Sequence, residues 1–194
     1  MRELKTAVIA VLALTIALGL AYPLVMTGVA QILFPGRADG SLVERDGKVI
    51  GSKLIGQDFS KRHRYFQSRP SATGYAPAAT YFNNQGPNQQ DLADQLQRHV
   101  ERYLEREGRF TPGLTAADIP SDAVTTSASG VDPDISEANA LIQANRVAEQ
   151  RDMAVADVRA LIEDHASRPL LGLAGDRSVN VLELNLALDR EAAR

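Results

Sequence analysis

The sequence predicts an α+β protein: a single N-terminal transmembrane helix, residues 1–36, followed by a small mixed α+β domain, residues 37–194, on the outer side of the membrane. Three observations predict it. Residues 1–36 carry only Arg2, Glu3 and Lys5 as charges, whereas the chain is densely charged from Arg37 onward. Asp46-Gly47 stands between two strand-like runs, and that dipeptide tolerates the positive backbone angles of a tight hairpin turn. Further on, apolar residues recur every three or four positions, the spacing of helices with one buried face.

The membrane helix comes first in order. Thr6 to Met26 supplies about 20 residues of low polarity, enough at about 1.5 Å per residue to cross the roughly 30 Å hydrocarbon core of a bilayer. A cleavable signal peptide is the rival reading, with Ala17-Leu18-Gly19 and Gly19-Leu20-Ala21 as cleavage triplets. The apolar character continues past both to Phe34, which favours a retained span. Arg2 and Lys5 precede the span and Arg37, Arg45 and Lys48 follow it, so counting bases gives no bias. A first helix with a short basic tail usually keeps that tail inside, and long domains cross regardless of charge, so the N-terminus is expected to be cytoplasmic. Thr6, Ala10, Ala13, Ala17 and Ala21 line one helical face. Such a face permits close packing against other membrane helices, although the abundance of alanine explains it equally well. Pro23 predicts a kink.

Beyond the span, Ser41 to Gly56 reads as the β-hairpin, and Gln57 to Gln90 as a structured loop containing Tyr65, Phe66, Tyr75, Tyr81 and Phe82. Leu92, Leu96, Val100, Tyr103 and Leu104 share one face of a helix over Asp91 to Glu107, which Gly108 is placed to end. Ser136 is a cap for a helix through "EANALIQANRVAEQR", and another helix falls within Ala154 to Ala166. In "SVNVLELNLALDREAAR" the leucines at 182, 184, 186 and 188 alternate as in a strand, while Val181, Leu184 and Leu188 fit a helix. Helix is preferred, because Leu, Ala, Glu and Arg favour it and the run contains no breaker.

Composition narrows the chemistry. Of 21 basic and 24 acidic residues, 19 and 23 lie beyond residue 36, and no basic stripe stands out for a phosphate backbone; nucleic acid is not an expected partner. The absence of cysteine removes disulfides and thiol chemistry. Ser127 and Ser129, in "VTTSASGVDPDIS", invite a reading as nucleophiles, but the Gly-x-Ser-x-Gly turn is incomplete. His63, His99 and His165, the only histidines, lie apart in sequence. The segment is better explained as turn and cap residues. Gly51 and Gly56 have the spacing of a phosphate loop, yet Gln57-Asp58 occupies the place of Lys-Ser/Thr, and the hairpin accounts for both glycines. "ATGYA" at Ala72 to Ala76 lies outside the span and is no pore filter. Metal ligation has no support in the spacing of His, Asp and Glu.

Four longer motifs are distinctive: "GSKLIGQDF" (51–59), "YFQSRPSA" (65–72), "DAVTTSASGVDPDIS" (122–136) and "VNVLELNLALD" (179–189). In that order, after one N-terminal span, they resemble the KdpC family of the bacterial Kdp potassium-transporting ATPase over nearly the whole chain. Two departures stand out: the loop at Asn84 to Gln89, and Glu137 where the family often has proline. The resemblance implies a non-catalytic member of a high-affinity potassium import complex of the bacterial inner membrane. Its partners would be a channel-like subunit that carries K+ and a P-type ATPase subunit that hydrolyses ATP. It also implies a role in assembly, and a role as a catalytic chaperone raising the pump subunit's ATP affinity. ATP is cytoplasmic, so a domain outside the membrane does not touch it directly, and no cofactor is assigned to this chain. Arg69, Ser127, Ser129, Asp132 and Asp134 are the candidate partner contacts, and Ala10, Ala13, Ala17 and Ala21 the candidate membrane-helix contacts. The alternatives are a tethered serine hydrolase using Ser127 or Ser129, and a stand-alone binding module.

Overall fold

The computed structural model describes residues 1–79, 84–167 and 175–191. Tyr81 and Phe82 of the expected aromatic loop lie outside them. The chain divides into two compact units, Met1–Ser52 and Lys53–Arg194.

In the first unit, helix α1 runs from Arg2 to Leu33, longer than the expected Thr6–Met26, and is long and apolar enough to cross a membrane. None of its residues is buried. Thr15–Ala21 widens into π-helical turns, and the Tyr22 N–H donates to the carbonyl of Ala17, five residues back. Pro23 is the physical cause: it has no N–H to give Gly19, and its ring would strike that carbonyl in a regular helix. Ala10 and Ala13 therefore stand on the α-helical part, and Ala17 and Ala21 on the wide turns.

After a single helical turn at Pro35–Ala38 comes the hairpin of β1 (Leu42–Arg45) and β2 (Lys48–Ser52), antiparallel with Arg45 opposite Lys48. Asp46 and Gly47 adopt φ of 54° and 71°, the two positive angles of the tight turn that the sequence implied. Ser52 Oγ donates to Gly40 O at 2.6 Å, closing the hairpin back on its approach. Pairing stops at Ser52, four residues short of the expected end at Gly56.

The second unit holds α2 (Gln90–Glu107), β3 (Asp134–Ser136), α3 (Glu137–Arg151), α4 (Val155–His165), β4 (Ser178–Asn180) and α5 (Val181–Glu191). Gly108 does end α2, but at a right-handed φ of −60° rather than as a left-handed cap. Ser136 caps α3 by accepting from Asn139 N at 3.1 Å, and Asp152 closes that helix at φ 56°. The leucine-rich end resolves its ambiguity by being both. Ser178–Asn180 pairs antiparallel with Asp134–Ser136, a strand pairing that the reading of the serine motif as turn and cap did not include; from Val181 onward the chain is helical. Ile135, Val147, Val158, Ile162, Val179, Leu184 and Leu188 form the apolar centre, each at most 1% exposed.

Candidate functional site

The motif segments at 51–59, 65–72 and 122–136 meet at the loop Gly130-Val131-Asp132. Gly130 has φ 71° and lies against Thr73, whose Oγ1 would be 2.7 Å from an added Cβ. Ser71 Oγ donates to Gly130 O at 2.5 Å. Gly56 N donates to Val131 O at 2.7 Å, and a Cβ on Gly56 would sit 2.4 Å from Asp132 O. Gly56 is therefore a close-approach glycine, neither a hairpin residue nor part of a phosphate loop. Arg69 clasps the same loop from its side chain: Nη1 reaches Asp132 Oδ2 at 2.8 Å and Nη2 reaches Thr125 Oγ1 at 3.3 Å.

Asp132 Oδ1 accepts from Asp134 N at 3.1 Å, the aspartate turn that leads into β3. Asp134 is half-buried and is held above the usual carboxylate range, first by burial and then by the neighbouring Asp132 charge, against the Asn180 amide that pulls it down. Ser127 Oγ accepts from Gly130 N at 3.1 Å and Ser129 Oγ from Val131 N at 3.2 Å, with the two hydroxyls 3.4 Å apart. Among the described residues neither bonds a histidine; His99 Nδ1 lies 2.6 Å from Val124 O instead. Both serines are turn hydroxyls, and among the described residues neither is hydrogen-bonded to a base.

A second polar assembly was not foreseen. Loop residues His63 to Gln67 lack a strand partner, and the helices satisfy their backbone through side chains. Asn185 Oδ1 accepts from Phe66 N at 2.8 Å and its Nδ2 donates to Phe66 O at 3.0 Å. Gln143 treats Gln67 in the same way, at 2.8 and 3.2 Å. Arg146 donates to the carbonyls of His63 and Tyr65 and, at 3.0 Å, to Glu107, with both charged side chains 0% exposed. Burial works against the Arg146 cation, and Glu107 opposes that shift. A signal existed in the sequence: Asn139, Gln143 and Arg146 adjoin Ala140, Ala144 and Val147 on the buried side of α3. Polar residues on a core-facing stripe imply partners that are not yet in view.

Beside this assembly lies a cleft of about 460 Å³ between α2 and the loop, lined by Ser68, Tyr75, His99, Arg102, Arg106 and Arg109 among others. Tyr75 donates to Arg69 O at 2.5 Å, and burial pushes its hydroxyl up to about 12, so it remains a neutral donor.

Comparison with known proteins decides the family. A family model described as "K+-transporting ATPase, c chain" matches residues 4–190. The chain belongs to this family. It is 47% identical over 208 residues to a potassium-transporting ATPase KdpC subunit of Bradyrhizobium diazoefficiens, covering 100% of both chains. It is 46% identical over 193 residues to one of Cereibacter sphaeroides, again covering 100% of both. A relative from Mycobacterium bovis is 46% identical over 191 residues, covering 97% of this chain and 98% of its own. In this KdpC family member, the site expected from the motifs is thus one structural knot, in which Arg69, Asp132 and Asp134 are engaged with each other's loop. The fourth motif joins it through Asn180, whose Nδ2 donates to Lys53 O at 2.8 Å and to Asp134 Oδ1 at 3.2 Å.

Proposed function

We propose that this chain is the non-catalytic accessory member of a high-affinity, ATP-driven potassium import complex, anchored in the bacterial inner membrane by α1 with its N-terminus in the cytoplasm. The observation that carries the reading is the end-to-end match to the KdpC family. The two motif serines, which serve as turn hydroxyls, are in keeping with it. On this reading the second unit lies outside the membrane and rests on the ion-entry side of a channel-like subunit. The alanine face at Ala10, Ala13, Ala17 and Ala21 packs on partner helices. A P-type ATPase subunit binds and hydrolyses ATP; this chain supports assembly and, as a catalytic chaperone, raises the pump's ATP affinity through protein contacts rather than by holding nucleotide. The excess of acidic residues beyond the span draws cations toward the channel mouth.

Affinity purification of the full chain from native membranes tests the reading: two large multi-span chains are expected to co-purify. Purification of the chain alone, or labelling of Ser127 or Ser129 by a serine-reactive phosphonate, would overturn it. Complexes carrying Asp134→Asn are expected to assemble with weakened potassium affinity.

A further inference from the structure

Helix α2 carries His99, Arg102 and Arg106 at intervals of three and four, and Arg109 follows three residues on. That spacing sets the three helical residues along one side, and all four line the cleft facing the loop that contains Ser68 and Tyr75. Glu105 is the one carboxylate residue among the described cleft-lining residues.

The charge at this place is unbalanced. Arg106 Nε bonds Glu107 Oε1 at 2.6 Å, yet the same carboxylate is also taken by Arg146 at 3.0 Å. One buried anion serves two guanidiniums. Arg102 uses only Nε, donating to Arg98 O at 3.1 Å, and its Nη atoms have no hydrogen bond among the described residues. Among the described residues, the side chain of Arg109 has only the ring of Phe110, 5.5 Å from its guanidinium. In a chain of net charge −3, a cleft with spare guanidinium donors runs against the average and calls for an anion.

The length of the stripe points to the kind of anion. Eight residues of helical rise, about 12 Å, separate His99 from the end of α2 at Glu107, and Arg109 lies in the turn beyond; that is the reach of about four extended residues and far more than one small oxyanion covers. We infer that the cleft is a docking groove for an acidic, extended segment of a partner chain, whose carboxylates are taken by Arg102 and Arg109 in the field of Arg106. The inference rests on the proposed function for the existence of a partner.

Two measurements test it. With the full chain in detergent, fluorescence anisotropy of labelled hexaglutamate is expected to report binding about tenfold tighter than that of hexaglutamine, weakening with salt. R102E/R109E is expected to abolish the difference. Both arginines are exposed and outside the buried assembly, and R102Q/R109Q serves if the reversal unfolds the chain. Equal binding of the two peptides, indifference to both variants, or displacement by equimolar inorganic phosphate would overturn the groove. In the assembled complex, Arg102→p-benzoylphenylalanine is expected to cross-link to a carboxylate-rich segment of another chain; cross-links only to segments without carboxylates would overturn it. Failure of the wild-type chain to co-purify counts against the proposed function instead, and the peptide assay then decides the groove by itself.

Discussion

Helix α1 and the loop His63–Gln67 solve one problem in opposite ways: where to send backbone hydrogen bonds away from water. The helix satisfies its own N–H and C=O groups, even through the π-helical turns before Pro23, so its side chains are free to be apolar and exposed. The loop has no ladder, so Asn185, Gln143 and Arg146 are buried to supply one. Apolar outside and polar inside have one cause. A helix meets its backbone needs locally, whereas a loop in the interior must borrow from helices distant in sequence.

The strongest way to break this comparison is at Glu107. Glu107→Gln leaves the buried Arg146 cation without its carboxylate, and thermal or chemical unfolding of the detergent-solubilised chain should show a loss of about 3–5 kcal/mol. An apolar pair, Glu107→Leu with Arg146→Met, removes the charge problem but strands the carbonyls of His63 and Tyr65. It is expected to recover only part of the loss. Full recovery would show that the buried arginine does not hold the loop.

A smaller effect sharpens the same point at Gly56. Its Cβ would meet Asp132 O at 2.4 Å, an atom of the backbone that cannot swing aside. Gly56→Ala should therefore cost about 1–3 kcal/mol, the usual range for overpacking, and should weaken the Arg69–Asp132 pair with it. The same substitution at Gly28, which has nothing within 4 Å, should leave the unfolding of the second unit unchanged.

How much of this was legible in the sequence follows from how local each cause is. The hairpin was legible because Asp46-Gly47 sets its own turn, and α3 because Ser136 caps it and its periodicity lies within one run. The pairing of Asp134–Ser136 with Ser178–Asn180 was not, since three-residue strands have too little period to register and their partners lie about forty residues apart. The close approach at Gly56 was hidden for the same reason: its neighbour Asp132 is remote in sequence, and the hairpin beside it offered a sufficient local explanation. The serines, by contrast, are legible as turn residues from their immediate neighbours alone. The basic stripe was masked by the acidic average: His99, Arg102, Arg106 and Arg109 form a patch only once α2 is wound and turned toward the loop.

The smallest expected effect is one of pH, and its sign separates the motif knot from the buried assembly. Asp134 has its folded-state pKa raised by burial and by Asp132, so the folded chain binds this proton more tightly than the unfolded chain does. Its contribution is therefore fully present below the ordinary carboxylate pKa and is lost as pH rises through the raised value, since stability falls with pH wherever the folded state holds more protons. In wild type, other carboxylates overlay this slope, so the measurement is a difference: Asp134→Asn compared with wild type across the acidic range. The variant should lose relative stability toward low pH and gain it toward neutrality, because it no longer carries the half-buried charge beside Asp132. A difference independent of pH would mean that the Asn180 amide offsets burial and the Asp132 charge together at Asp134. The knot would then be held by shape, through Gly56 and Gly130, rather than by charge.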